Sequence, residues 1–157
     1  DYLNASAISR SIVGWDRLYK VAVVFSEEVI ANPNALTFTR HGVAVPTTFV
    51  WDLATRTATW TPIDPIVDGR TTIRLSASGV EDTSGNLLAK DWVRAFGLLA
   101  GDFDGNGIVN KADLKAIKKR FTKPKVALAR LADVDGNGIV NQADLDRATA
   151  NLKQRLK

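Results

Sequence analysis

Between residues 15 and 99 apolar and polar positions alternate with a period of two, the pattern of a strand with one buried face. In the stretch 19–25, Tyr19, Val21, Val23 and Phe25 fall on one side and Lys20 on the other. In 36–40, Leu36 and Phe38 oppose Thr37 and Thr39; in 55–60, Thr55, Thr57 and Thr59 oppose Ala58 and Trp60. Ile73 and Leu75 point inward in 71–75 with Arg74 outward, and 92–96 reads as a last strand. Turn-forming residues separate these runs: Asn32-Pro33-Asn34, His41-Gly42, Asp68-Gly69 and Ser84-Gly85-Asn86. Short strands at such spacing predict an all-β sandwich.

From residue 100 the period changes. Leu114, Ile117 and Phe121 recur at helical spacing, and so do Leu145, Ala148 and Leu152, with Leu156 one turn further. Each series follows a loop rich in Gly, Asp and Asn. Pro124 is expected to stop the first helix, and 126–131 to form a short connecting helix.

Those two loops are copies of each other. Asp102-Phe103-Asp104-Gly105-Asn106-Gly107-Ile108-Val109-Asn110-Lys111-Ala112-Asp113-Leu114 recurs 31 residues later, beginning at Asp133, and only two of the thirteen positions differ. Read as a twelve-residue loop, the first copy places oxygen donors where calcium needs them: Asp102, Asp104 and Asn106 at positions 1, 3 and 5, and the Ile108 carbonyl at 7. Asn110 at 9 coordinates directly or through water, and Asp113 at 12 closes the shell. The second copy supplies Asp133, Asp135, Asn137, Ile139, Asn141 and Asp144 in the same order. Gly107 and Gly138 at position 6 permit the sharp bend. Hard oxygen ligands at flexible spacing suit calcium better than magnesium, so the expected cofactors are two Ca²⁺ ions. Asn110 and Asn141 are also natural helix N-caps, each with an Asp three residues on. Val109 and Val140 at position 8 are placed to bridge the two loops.

Charge divides the chain at the same point. Residues 1–99 hold nine basic and ten acidic residues, and residues 100–157 twelve basic and seven acidic; six of those seven acids lie in the two loops. The boundary is therefore drawn at 99/100, with 1–14 as an N-terminal extension of the first part. The small second part has a thin core, and metal binding is expected to supply folding free energy. The chain has no Cys and a single His, His41, in an expected turn, which excludes thiol chemistry and Cys-ligated zinc. With the loop acids committed as ligands and Glu27/Glu28 on opposite sides of a strand, no catalytic set emerges, and the chain reads as a non-enzyme. No apolar run is long enough to span a membrane. The basic residues Lys111, Lys115, Lys118, Lys119, Arg120, Lys123 and Lys125 read first as a solvated helix face that balances the acidic loops; with one aromatic, Phe121, and no reading motif, steering of an acidic partner fits them better than nucleic acid. Burial is expected for Trp60 and Trp51, and a turn held by Asp82 is expected for 81–86. The absence of Met reads as a mature or excised fragment whose targeting signal lies elsewhere.

Two features separate the repeat from an ordinary EF-hand: Asp at position 12, and no helix ahead of the first loop. A duplicated loop–helix of this form resembles a dockerin module of type I over residues 101–157. Residues 15–99 resemble bacterial Ig-like domains of secreted and surface proteins, on Val23-Val24-Phe25-Ser26-Glu27-Glu28-Val29, Thr57-Ala58-Thr59-Trp60 and 79–86. The resemblance implies a two-domain chain: an Ig-like sandwich, then a small α-helical dockerin-like module with paired EF-hand-type (F-hand) motifs. It further implies calcium-dependent docking onto a cohesin-like domain at the end of a larger secreted or cell-surface protein, often one concerned with polysaccharide degradation. By family position the partner contacts would be Lys111, Ala112, Lys118, Lys119 and Thr122 in the first copy, and Gln142, Ala143, Thr149, Ala150 and Lys153 in the second. The family's Ser-Thr pair is absent from both copies, and its Lys-Arg-like pair survives only as Lys118-Lys119 in the first, so the two faces differ. The alternative is a calcium-rigidified structural or adhesive end, with the Ig-like part as spacer or carbohydrate binder.

Overall fold

The computed structural model describes residues 12–121 and 129–157. In chain order the elements are β1 (Ile12–Val13), β2 (Arg17–Leu18), β3 (Val21–Val24), β4 (Val29–Ala31), β5 (Leu36–Arg40), β6 (Val43–Val45), β7 (Thr47–Asp52), β8 (Thr57–Pro62), β9 (Ile66–Val67), β10 (Gly69–Leu75), β11 (Val80–Asp82), β12 (Trp92–Leu98), α1 (Lys111–Lys118), α2 (Ala129–Ala132) and α3 (Gln142–Ala150). The described residues fall into two compact units. One holds Tyr19–Pro65 and Thr71–Ala95; the other holds the described part of 10–18, Ile66–Arg70 and Phe96–Lys157.

The first unit is all β. Its larger sheet runs in the order β12-β10-β5-β6, with residues 92–95 of β12 and 71–75 of β10 belonging to this unit, and a second runs β3-β8-β7, with β4 and β11 forming a separate ribbon. Alternation sets the register: Leu36 and Phe38 of β5 are buried, and they lie opposite Leu75 and Ile73 of β10. The β5–β6 turn needs left-handed backbone at two successive residues, and His41 (φ 49°) and Gly42 (φ 81°) provide it. Trp60 is fully buried on β8, stacks at a tilt on Phe49 and donates its indole N–H to Pro33 O at 2.8 Å. That bond satisfies the one polar atom of a large core side chain and ties β8 to the turn before β5. Trp51 is half-buried beside Phe25. The 81–86 turn is held as expected: Asp82 Oδ1 accepts from Ser84 N and Asn86 N, both at 2.8 Å.

Two expectations need correction here. The strand expected over 19–25 is shorter, and Tyr19 stands outside it, 45% exposed, because β3 finds its partner β8 only through Val21–Val24. Strand β7 was not expected. Its alternation is present, with Thr47, Phe49 and Trp51 half-buried and Thr48, Val50 and Asp52 exposed, but none of its residues is fully buried and the contrast is weak.

The second unit places helices and short strands around a small apolar core of Ala100, Ile117, Ala129, Ala132, Val134, Val140 and Ala148, flanked by Phe103, Leu114, Phe121 and Leu145. The segment 12–18 belongs to it. Ile12 and Val13 pair in parallel with Gly97 and Leu98, and Leu18 pairs with Ile66. Gly101 N donates to Gly14 O at 2.8 Å, Asp16 N to Val134 O at 2.9 Å, and the Trp15 indole to Arg130 O at 2.9 Å. The expected connecting helix appears as α2; residues 126–128 lie outside the described set, as do Pro124, Lys123 and Lys125.

Leu156 is not a further turn of α3. The helix stops at Ala150, and Lys153 (φ 75°) turns the chain back. Lys153 N then donates to Val109 O (2.8 Å), Val109 N to Gln154 O (3.1 Å) and Leu156 N to Gly107 O (3.0 Å). Leu156 lies so close over Gly97 that a Cβ there would sit 2.3 Å from Leu156 Cδ2. The backbone of Val109 is thus taken by the C-terminal tail and not by Val140, which corrects the expected bridge between the loops. A tail that can satisfy both N–H and C=O of an otherwise exposed loop residue competes effectively for them.

Candidate metal centre

Each repeated loop folds around its own carboxylates. In the first, Asp102 is 1% exposed; its Oδ1 accepts from Gly105 N (2.9 Å) and Asn106 N (3.2 Å), and its Oδ2 from Gly107 N (2.8 Å). Gly107 has φ 85°, a conformation costly for any side-chain-bearing residue, which allows the loop to close on Asp102. Asp104 Oδ1 accepts from Asn106 N (3.1 Å) and its Oδ2 from Asn106 Nδ2 (2.9 Å). Asp113, also 1% exposed, takes Asp104 N (3.2 Å) and Asn110 N (2.9 Å). The last bond is half of a capping box, since Asn110 Oδ1 accepts from Ala112 N at 2.7 Å and starts α1.

The second loop repeats this plan with differences. Asp133 Oδ2 accepts from Gly138 N (2.9 Å), while its Oδ1 is buried with no hydrogen-bond partner. Asp135 Oδ1 accepts from Asn137 N (3.1 Å), but its Oδ2 pairs with Arg147 Nη1 (3.0 Å). Asp144, fully buried, accepts from Val134 N (2.8 Å), Asp135 N (3.2 Å) and Asn141 N (2.8 Å), and Asn141 caps α3 as Asn110 caps α1. Asn106 and Asn137 each accept from the amide two residues on, Ile108 N at 2.9 Å and Ile139 N at 2.8 Å.

In both loops three carboxylates converge: one oxygen from each of Asp102, Asp104 and Asp113 lies within 4.8 Å of the others, and the same holds for Asp133, Asp135 and Asp144. Burial pushes the Asp102 carboxyl above the usual carboxylate range, against the pull of its three N–H donors. Burial also raises Asp133, and the neighbouring Asp144 and Asp135 charges push the same way. Three like charges held together, two of them buried in each loop, and in the second loop the orphaned Asp133 Oδ1, form groups that could hold a cation. The donors are all hard oxygens from carboxylate, amide and carbonyl groups, which fits calcium.

The positions expected to touch a partner divide unevenly. Lys111, Ala112, Lys118 and Lys119 are exposed along α1 and its end; Thr122 lies outside the described residues. On the second copy Gln142 is exposed but donates to Asp146 (2.7 Å), and Ala143 is half-buried. Thr149 is exposed with its hydroxyl on Leu145 O (2.6 Å), Ala150 is exposed, and Lys153 lies beyond the end of α3. Sequence reasoning missed Asp16 and Arg147 at the edge of the second loop. Arg147 was legible, one helical turn past Asp144 on the same face; Asp16, more than a hundred residues away, carried no signal.

The loops define a class: a pair of oxygen-donor loops that could each hold a cation, each feeding its carboxylates into the first turn of a helix. The family model described as "Dockerin type I domain" matches residues 100–155. Residues 100–155 are thus similar to dockerin type I domains, a family of non-catalytic modules of calcium-dependent protein–protein docking, and the β-rich region before them is consistent with an Ig-like domain. No curated protein matches the chain. Among solved structures, the chain is similar to the surface-layer protein SbsC, domains 1–6 (22% identity, TM-score 0.41), over 58% of this chain and 13% of that one. It is also similar to CopC from Methylosinus trichosporium OB3b (14% identity, TM-score 0.47), over 62% of this chain and 90% of that one. The chain therefore spans a small part of the surface-layer protein's length. Among the described residues no helix is long and apolar enough to cross a membrane.

Proposed function

We propose that this chain is the docking end of a larger secreted or cell-surface protein, and that it holds two calcium ions and binds a cohesin-like domain through its second unit. The observation that carries this reading is the pair of carboxylate clusters, each closed onto a capped helix. One ion is assigned to Asp102, Asp104, Asn106, the Ile108 carbonyl, Asn110 and Asp113; the other to Asp133, Asp135, Asn137, the Ile139 carbonyl, Asn141 and Asp144. In this reading the loops are F-hands, EF-hand-type motifs without the leading helix. The modular division is an Ig-like domain to residue 99 and a dockerin-like domain from 100, with the segment 12–18 bracing the second.

The partner surface we favour is α1. Lys111, Lys115, Lys118 and Lys119 are exposed there with no exposed acid among them, which suits an acidic partner. On α3 the exposed charges are of mixed sign, and Arg147 is already paired with Asp16 and Asp135. The other reading, a calcium-rigidified structural end, draws on the way 12–18 threads into the second unit. A cohesin pull-down with and without chelator separates them. Calcium-dependent capture that is lost in a Lys118→Glu/Lys119→Glu variant supports docking through α1; no capture in either condition supports the structural reading.

A further inference from the structure

The two loops are nearly identical in sequence, yet the same carboxylate oxygen has different company in each. Asp104 Oδ2 rests on a neutral amide, Asn106 Nδ2 at 2.9 Å, whereas its counterpart Asp135 Oδ2 rests on a guanidinium, Arg147 Nη1 at 3.0 Å. The residue that corresponds to Arg147 in the first repeat is Ala116, which has no charge to offer. Arg147 does not arrive there by chance of rotamer. Its Nε donates to Asp16 Oδ2 at 3.2 Å, and the Asp16 backbone N–H is fixed on Val134 O at 2.9 Å, beside Asp133. Asp16 also holds Arg17 at 3.2 Å. The Asp16 and Asp135 side chains are only 14% and 10% exposed, so water screens this network incompletely, although Arg147 itself is 41% exposed.

We propose that Arg147, aimed by Asp16, is a built-in counter-cation of the second loop, a positioning residue that makes the two calcium sites unequal. This rests on the ligand assignment made above. Without calcium, the guanidinium offsets one of three crowded carboxylates and keeps the second loop closed. When calcium arrives, the same positive charge opposes it, and the second site is the weaker. The first loop, with Ala116, has neither effect: it repels itself more strongly without the ion and holds the ion more tightly. A unit charge next to one ligand of a divalent ion, at this degree of screening, changes affinity by about three- to tenfold.

The test uses the full chain. Calcium is titrated by calorimetry while the amides of Gly107 and Gly138 are followed by NMR, which assigns each step to its loop. Wild type should fill the first loop at lower calcium than the second. Arg147→Gln should tighten the second site about three- to tenfold and leave the first unchanged; Arg147→Lys, which keeps the charge, should stay near wild type. In chelator, the Gly138 amide, which closes the second loop on Asp133, should exchange faster in Arg147→Gln than in wild type, with Gly107 unaffected. A second site that Arg147→Gln weakens or leaves unchanged would overturn the counter-cation role while the ligand assignment stands. Fewer than two calcium steps in wild type would instead overturn the ligand assignment, and this inference with it. Should Arg147→Gln not fold without calcium, Asp16→Asn, which frees the guanidinium without deleting it, must still narrow the gap between the two sites.

Discussion

Asp144→Ala separates two jobs that one side chain does at once. Asp144 is fully buried, and its two oxygens accept from three backbone N–H groups, at Val134, Asp135 and Asn141. Deleting it orphans the buried Val134 donor, at about 1–3 kcal/mol, and removes the capping box of α3, at about 1 kcal/mol. Against this, removal of one of three like charges within 4.8 Å relieves about 1 kcal/mol of repulsion at solvent-like screening. The expected loss in chelator is therefore about 1–3 kcal/mol. In calcium at about a hundredfold its dissociation constant for the second site, wild type gains about 2.7 kcal/mol from that ion, and a variant lacking the closing ligand forfeits it. Asp144→Ala should therefore cost about 2–3 kcal/mol more in calcium than in chelator. Denaturant melts followed by helical circular dichroism, with both proteins in both buffers, give the four numbers required. Equal cost in the two buffers would mean that Asp144 is a helix cap and not a ligand, and the ligand reasoning would fail with it.

Gly101→Ala should destabilise the second unit by about 3 kcal/mol or more, because Gly101 has φ 90° and a Cβ there would lie 2.5–2.6 Å from Ala148 Cβ and Cα; a melting point within a degree or two of wild type would contradict the packing. Removal of residues 153–157 strips the partners of Val109 and Gly107 and should weaken calcium binding at the first loop while sparing the second, as read by site-resolved titration. The two units should respond to pH with opposite sign when calcium is absent. Asp102 and Asp133 are raised by burial, so their contribution is present below the ordinary carboxylate value and is lost as pH rises through their folded values. Asp82 is lowered by its hydrogen bonds with Asn86, and Asp91 by that from Ala77 N and by Arg74, so theirs is present above the ordinary value and is lost as pH falls through their folded values. Helical and β signals recorded from pH 3 to 7 in chelator should diverge accordingly, and parallel loss of both on acidification would contradict this.

The two carboxylate loops could be read from the chain because every group in them is local. Asp102 to Asp113 and Asp133 to Asp144 lie within twelve residues, and the glycines, caps and carboxylates they need are spaced by loop and helix geometry alone. The core strands β5 and β8 were legible for a similar reason, since Leu36, Phe38, Ala58 and Trp60 alternate cleanly with polar neighbours. Strand β7 escaped because its half-buried faces blur the alternation, and Tyr19 was misplaced because its strand is only as long as its partner allows.

What the chain could not announce is whatever depends on a distant segment. Helical spacing would carry Leu156 on along α3; it left the helix because the tail found unpaired backbone at Gly107 and Val109 and a bare Gly97 to cover, none of which is sequence-local to it. The repeat made the two loops look interchangeable. Only the tertiary structure brings Asp16 across more than a hundred residues to aim Arg147 at Asp135, so that chemically matched loops acquire different surroundings. The identity and order of the loop carboxylates and amides are properties of short covalent spacing, which sequence determines by itself. Which carboxylate sits beside a cation, and which loop the tail braces, are decided by long-range packing, because those contacts exist only once the whole unit has closed.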